Sequence, residues 1–126
     1  MSFTNFLETE ILDHVFAGNA YTAPATLYVG LYTATPSESG GGTELSGNAY
    51  ARKSCAFSVS GNTASNSANV EFDAATGNWG TVTHAGIFDA LTGGNLLAYA
   101  TLTSSKTVET GDILRFSADQ LQVTLD

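Results

Sequence analysis

Trp79-Gly80-Thr81-Val82-Thr83-His84-Ala85-Gly86-Ile87-Phe88-Asp89 leads, through Ala90-Leu91-Thr92-Gly93-Gly94, into Asn95-Leu96-Leu97-Ala98-Tyr99-Ala100-Thr101-Leu102. Successive residues of an extended chain point to opposite faces, which puts Thr81, Thr83, Ala85 and Ile87 on one side and Val82, His84 and Phe88 on the other. Apolar residues on both sides predict a strand buried, at least in part, on both faces. Thr92, Gly93 and Gly94 have the composition of a hairpin connection, so residues 95–102 are expected to return as its partner. Further runs at 113–117 and 121–125, separated by a turn around Gly111, continue the rhythm of short strands and breaks that marks an all-β domain. In the last run Leu121, Val123 and Leu125 are expected inside, with Gln120, Gln122 and Thr124 outside.

Working back toward the N-terminus, residues 69–73 read as a short strand around Val70 and Phe72, and 61–67 as a break. Residues 50–60 alternate as one strand carrying Cys55 on its inner side. Leu27, Val29 and Leu31 alternate with Tyr28, Gly30 and Tyr32 in a segment expected to be central, ended by Pro36. Residues 37–47 read as a long loop in which Gly40, Gly41 and Gly42 remove rigid local preference. Phe3, Phe6, Leu7, Ile11 and Val15 recur at three- and four-residue steps, with Ser2 or Thr4 as a cap and Gly18 as a stop, predicting one amphipathic helix. Glu8 and Glu10 complement the positive end of its dipole. The helix either plugs an open end of the β domain or serves as a docking arm toward a neighbouring subunit. Seven or eight strands over the chain point to an antiparallel β-sandwich or jelly roll, divided as residues 1–18 for the helix and 19–126 for a single β domain.

At 126 residues the chain suits one core without a metal or disulfide frame. Twelve Asp and Glu against four Lys and Arg give a formal charge of -8, which argues against nucleic acid and anionic membranes, since both are bound through clustered cations. No basic segment precedes an apolar run, and no stretch approaches the ~20 apolar residues of a membrane span. The expectation is a soluble protein without a secretory address. A lone cysteine, Cys55, leaves no intrachain disulfide and reads as a buried apolar thiol.

Chemistry is sparse. His14 and His84 have no ligand spacing for zinc, and His84 with Asp73 or Glu71 lacks a nucleophile elbow to serve. Gly40-Gly41-Gly42-Thr43 fails as a phosphate cradle because Glu44 stands where a lysine is needed. Asp89, Glu109 and Asp112 lie in turns, without the spaced carboxylates of a calcium loop. Tyr21, Tyr28, Tyr32 and Tyr50 are either half-buried strand residues or a contact surface for protein or carbohydrate. The reading is a non-enzyme with no cofactor and no metal site.

Leu12-Asp13-His14-Val15-Phe16, then Ala20-Tyr21-Thr22-Ala23-Pro24-Ala25-Thr26-Leu27-Tyr28-Val29-Gly30-Leu31, resembles the opening of small virion proteins from tailed bacteriophages. The run from Trp79 to Asp89 and Thr92-Gly93-Gly94-Asn95-Leu96-Leu97-Ala98 resemble them as well. The resemblance covers nearly the whole chain apart from residues 37–48 and 61–67. Members are usually labelled tail fibre proteins, so it implies a structural virion component on the capsid exterior or tail. Its partners would be the major capsid protein or tail proteins, and further copies of itself, commonly as a trimer. The short chain without shaft repeats favours a capsid decoration, or cement, protein. The alternatives are a tail-fibre or tail-tip subunit and a carbohydrate-binding module that contacts the host surface. Phe3, Phe6, Tyr28, Tyr32, Gly41 and Glu44 are the interface candidates, together with an exposed sheet edge.

Overall fold

The computed structural model describes residues 1–125. Along the chain lie β1 (Ser2–Phe3), α1 (Asn5–Phe16), β2 (Leu27–Ala34), β3 (Thr43–Glu44), β4 (Lys53–Cys55) and β5 (Phe57–Ser60). They are followed by β6 (Thr63–Asn66), β7 (Val70–Glu71), β8 (Gly80–Phe88), β9 (Leu96–Val108), β10 (Arg115–Phe116) and β11 (Gln122–Thr124). All pairings are antiparallel. A six-stranded sheet runs β1-β9-β8-β2-β3, with β4 also on β2. The opposing layer is divided into a β7–β10 ribbon and a three-stranded β5–β6–β11 sheet. The result is the all-β antiparallel sandwich expected from the strand rhythm, assembled from more strands than the sequence suggests, most of them short, while β9 runs on past the expected residue 102 to Val108.

The core fills the space between the layers. Val29 and Leu31 of β2, Val82, Ala85 and Ile87 of β8, and Val108 of β9 face Val70, Phe72, Trp79, Leu114 and Leu121 from the other side. Val82 joins Ala85 and Ile87 because a register shift between Val82 and His84 breaks strict alternation in β8. The residues expected on opposite faces of that strand therefore share one.

Five local readings are corrected. Ser2 and Phe3 form a strand, not the first turn of the helix, with Phe3 opposite Ala98. The reason is Thr4, whose N–H donates to the Leu97 carbonyl at 2.9 Å and whose hydroxyl reaches the Leu96 carbonyl at 2.6 Å. Its side chain is thus committed to β9 and caps nothing, while Gly18 at φ 73° follows the last turn of α1 as expected. Residues 50–60 divide at Ala56, with β4 in the large sheet and β5 in the small one. Residues 61–67 hold the strand β6 in place of a break. The 37–47 loop is pinned by the paired residues Ser37 and Gly40 and contributes β3. At the C-terminal strand Leu121 is buried, whereas Val123 is half-buried and Leu125 is half-exposed.

Asn66, wholly buried, explains β6. Its Oδ1 accepts from the Leu121 N–H at 2.8 Å, and its Nδ2 donates to the Ala68 and Ser117 carbonyls, each at 2.9 Å. One side chain thereby ties β6 to the turn before β11. Asn66→Ala leaves the buried Leu121 N–H without an acceptor and the part-buried Ala68 and Ser117 carbonyls without a donor, so urea unfolding should show a loss of about 3 kcal/mol. A change below about 0.5 kcal/mol would mean that this clamp carries no weight.

Candidate interaction surfaces

β2 has β8 on one side, but its other edge is shared by two short strands. Leu27, Tyr28 and Val29 pair with β4, and Tyr32 and Ala34 with β3. Between them the Leu31 N–H has no strand partner and donates instead to the Tyr50 hydroxyl at 3.0 Å. That hydroxyl donates onward to Glu44 Oε2 at 2.7 Å. Arg52 clasps the same carboxylate with Nε and Nη2, both at 2.8 Å, and its Nη1 donates to the carbonyls of Ala90 and Gly93. The guanidinium lies 3.5 Å from the centre of the Phe88 ring, a cation–π contact in a largely desolvated setting. Phe88 in turn stacks on Tyr32, with ring centres 6.2 Å apart. Gly30 makes this possible, because a Cβ there would stand 2.6 Å from the Phe88 ring and 2.9 Å from the Glu44 carboxylate.

Tyr32 and Glu44, proposed from sequence as contact residues, are therefore internal. Tyr32 is 4% exposed and offers no area to a partner. Glu44 is half-buried with its carboxylate engaged by Arg52 and Tyr50. Tyr28 is half-buried on β2, Gly41 lies open in its loop, and Phe3 and Phe6 are half-buried at the N-terminal arm. The structure brings together Tyr32 and Glu44, which are directly paired, and no other two strands among these candidates are paired.

The groups able to do chemistry are engaged structurally. His84 is buried with Nδ1 2.7 Å from the Thr83 hydroxyl and Nε2 3.2 Å from that of Thr101. Asp73, considered as its carboxylate partner, bonds Lys53 at 2.9 Å instead. Burial pushes the Cys55 thiol up to about 11, so it stays protonated at neutral pH. Asp89 accepts from the backbone and side-chain amides of Asn95, which closes the hairpin, and Asp112 accepts from the Glu109 N–H. Among the described residues no three His, Cys, Asp or Glu side chains are grouped to hold a metal ion. An open groove of about 1170 Å³ runs beside β9 and β10, lined by Leu102, Lys106, Ile113, Arg115, Phe116 and Gln122 among others. Neither histidine nor Cys55 lines it. No helix among the described residues is long and apolar enough to cross a membrane.

Besides Leu91, Ile113 and Leu125, exposed apolar area stands out in two places, helix α1, which the sequence offers as a docking arm, and β5, which it does not single out. Helix α1 buries no residue completely, and its half-buried Phe6, Leu7 and Ile11 leave Leu12, Val15 and Phe16 exposed, Phe16 by 81%. Those three sit at i, i+3 and i+4, one patch on the helix surface. The available signal was that apolar residues surround more than one side of this helix. The second place is β5, where Val59 is 75% exposed.

Residues 2–124 match the family described as podophage GP4 fiber I protein gp80. No curated protein matches the chain.

Two outcomes test the Glu44 network. Arg52→Ala leaves the Glu44 carboxylate partly buried without its cation and frees the Ala90 and Gly93 carbonyls, a loss of about 2–3 kcal/mol by chemical denaturation. Arg52→Lys should recover only part of it, since an ammonium lacks the planar fork. At alkaline pH, burial, reinforced by the Glu44 charge, raises Tyr32 to about 12, and burial followed by the hydrogen bond to Glu44 raises Tyr50. Both hold their protons in the folded state after an unfolded tyrosine, with pKa about 10, has lost its own. Stability contributed by these groups is complete below about pH 10 and falls as pH rises toward 12, as read by the unfolding midpoint against pH.

Proposed function

The chain belongs to the podophage GP4 fiber I protein gp80 family, and from that membership we propose that it is a non-enzymatic fibre subunit of a podophage tail, held in the virion through helix α1. Membership carries the structural role and a virion location, on the tail or the capsid exterior. The finer placement on the tail is supported by one observation, the fibre description of a family matched over residues 2–124. The attachment surface follows from the helix. Leu12, Val15 and Phe16 have the spacing by which a helix enters an apolar groove, and Glu8, Glu10 and Asp13 flank them. Residues 1–51 contain no Lys or Arg, so the groove that fits this arm is apolar with a basic rim.

Capsid decoration is the second reading. It is favoured by the small sandwich, which shows none of the shaft repeats of an elongated fibre among the described residues. The carbohydrate-binding reading keeps two of its four tyrosines, the half-buried Tyr21 and Tyr28, since Tyr32 and Tyr50 are turned inward to the Glu44 network.

Gold-labelled antibody on intact particles separates the first two readings: label is expected on the tail, and label over capsomer junctions instead would reject the fibre placement. The double variant Leu12→Ser/Phe16→Ser should fold with unchanged far-UV circular dichroism yet enter particles roughly tenfold less than the parent, because exposed helix residues contribute to docking and little to the fold. Normal incorporation of that variant would rule out the helix as the attachment arm.

A further inference from the structure

We propose that the β5–β6–β11 sheet is a self-association surface, pairing through the edge of β5 with the same sheet of a second copy across a two-fold axis. The inference goes beyond the fibre reading and holds for either virion location. Val59 pairs with Ala64, and Ala64 with Val123, so the three form one row across the sheet. Phe57, Asn66 and Leu121 lie two residues away on the same face, where Asn66 and Leu121 are buried and Phe57 packs on the core. One end of this apolar face is therefore anchored in the molecule while the other extends past it, ending in the exposed Val59. The opposite face consists of Ser58, Ser60, Thr63, Ser65, Gln122 and Thr124.

Among the described residues the outer side of β5 has no strand partner. Exposed edges are usually guarded by charge, proline or a bulge, because their free N–H and C=O groups will pair with another chain. At several other edges a charge is present, Lys53 in β4, Glu71 in β7 and Arg115 in β10, whereas the two-residue edge strand β1 is protected by its shortness. At β11 the Met1 ammonium donates to the Gln122 carbonyl at 3.0 Å. β5 has no guard, and β5, β6 and β11 together contain no ionisable residue.

Charge also selects the occupant. Two copies that each carry a formal -8 repel, and contact between them is least opposed where neither surface holds a charge. The acidic helix fits a basic partner, whereas this neutral sheet fits itself. Antiparallel pairing of β5 with its copy is isologous, supplies partners to both free edges and brings the two Val59 rows together on one face of a six-stranded sheet.

Sedimentation velocity of the full chain over a concentration series tests this. The expected result is a reversible dimer that does not weaken as salt is raised, since salt screens the repulsion between the two acidic copies. Val59→Lys, which places a guard on the edge, should weaken dimerisation at least roughly tenfold with unchanged far-UV circular dichroism. Val59→Thr, which preserves strand preference, gives a smaller loss in the same direction and stands in if the lysine variant misfolds. A parent chain that stays monomeric throughout overturns the proposal, as does dimerisation that survives Val59→Lys. Dissociation caused by Leu12→Ser/Phe16→Ser and not by Val59 variants would place the contact on the helix and overturn it too. Because the measurement uses isolated protein, its failure leaves the particle-labelling result unaffected.

Discussion

The unfilled position on the edge of β2, at Leu31, is the constraint around which this fold is arranged. Because β3 and β4 cover only the two ends of that edge, one buried N–H would be left without a partner, and an orphaned backbone donor costs about 1–3 kcal/mol. Tyr50 meets it with a hydroxyl while its ring stacks on Phe72 and meets Trp79 edge-on, 5.6 Å between centres. The same residue thus belongs to the hydrophobic core and to the polar network. Its hydroxyl must then donate, which places Glu44, and the Glu44 charge calls for Arg52. From there the guanidinium reaches the Ala90 and Gly93 carbonyls, so the connection between the two longest strands is anchored by a gap in a third.

This chain of dependence also explains how the second face of the large sheet is closed. The small sheets cover one face only, yet Tyr32, His84 and Phe88 are buried on the other. A sheet face covered by polar loops alone would leave those rings wet. Here Gly30 and Gly86 leave room beside Phe88 and Tyr32, and the flat guanidinium of Arg52 covers the Phe88 ring. At Gly86 a Cβ would come within 2.6 Å of Leu96 and 3.1 Å of Tyr32. The glycines in β2 and β8 weaken strand preference locally, but they permit a layer of rings and one cation where a third layer of strands would otherwise be needed.

How much of this the sequence discloses depends on whether the determining contacts are local. Residues 79–89 and 95–102 are legible because two-residue alternation and a Gly-Gly connection are properties of the segment itself. β6 is not, because Thr63-Ala64-Ser65-Asn66 has no strand preference and is held by Asn66 contacts to residues about 50 positions further along the chain. The bend at Ala56 is invisible for a related reason: alternation continues through it while the chain passes from one sheet to the other. Tyr32 and Glu44 look like contact residues in isolation, and only the approach of Arg52 and Phe88 turns them inward. Conversely Val15 reads as part of a helix stripe that should be covered, yet it stands exposed beside Leu12 and Phe16. Their exposure follows from how Thr4 fixes the start of the helix on β9, a tertiary contact that periodicity does not encode.

The distribution of charge carries the remaining step from fold to role. Of four Lys and Arg, Arg52 and Lys53 are engaged in ion pairs, and Lys106 and Arg115 line the groove. The rest of the surface is acidic or neutral, so attraction between copies, or to the particle, cannot come from an even spread of opposite charges. Exposed apolar area offers another source, and the helix and the edge of β5 differ in charge. The helix tip presents its apolar patch among acids, which discriminates in favour of a basic neighbour and against another copy of the same helix. The edge of β5 presents Val59 among serines and threonines, where nothing repels a like surface. A chain with one acidic and one neutral apolar surface can join copies of itself through the second while leaving the first free for a different neighbour, and a repeating particle component needs those two kinds of contact.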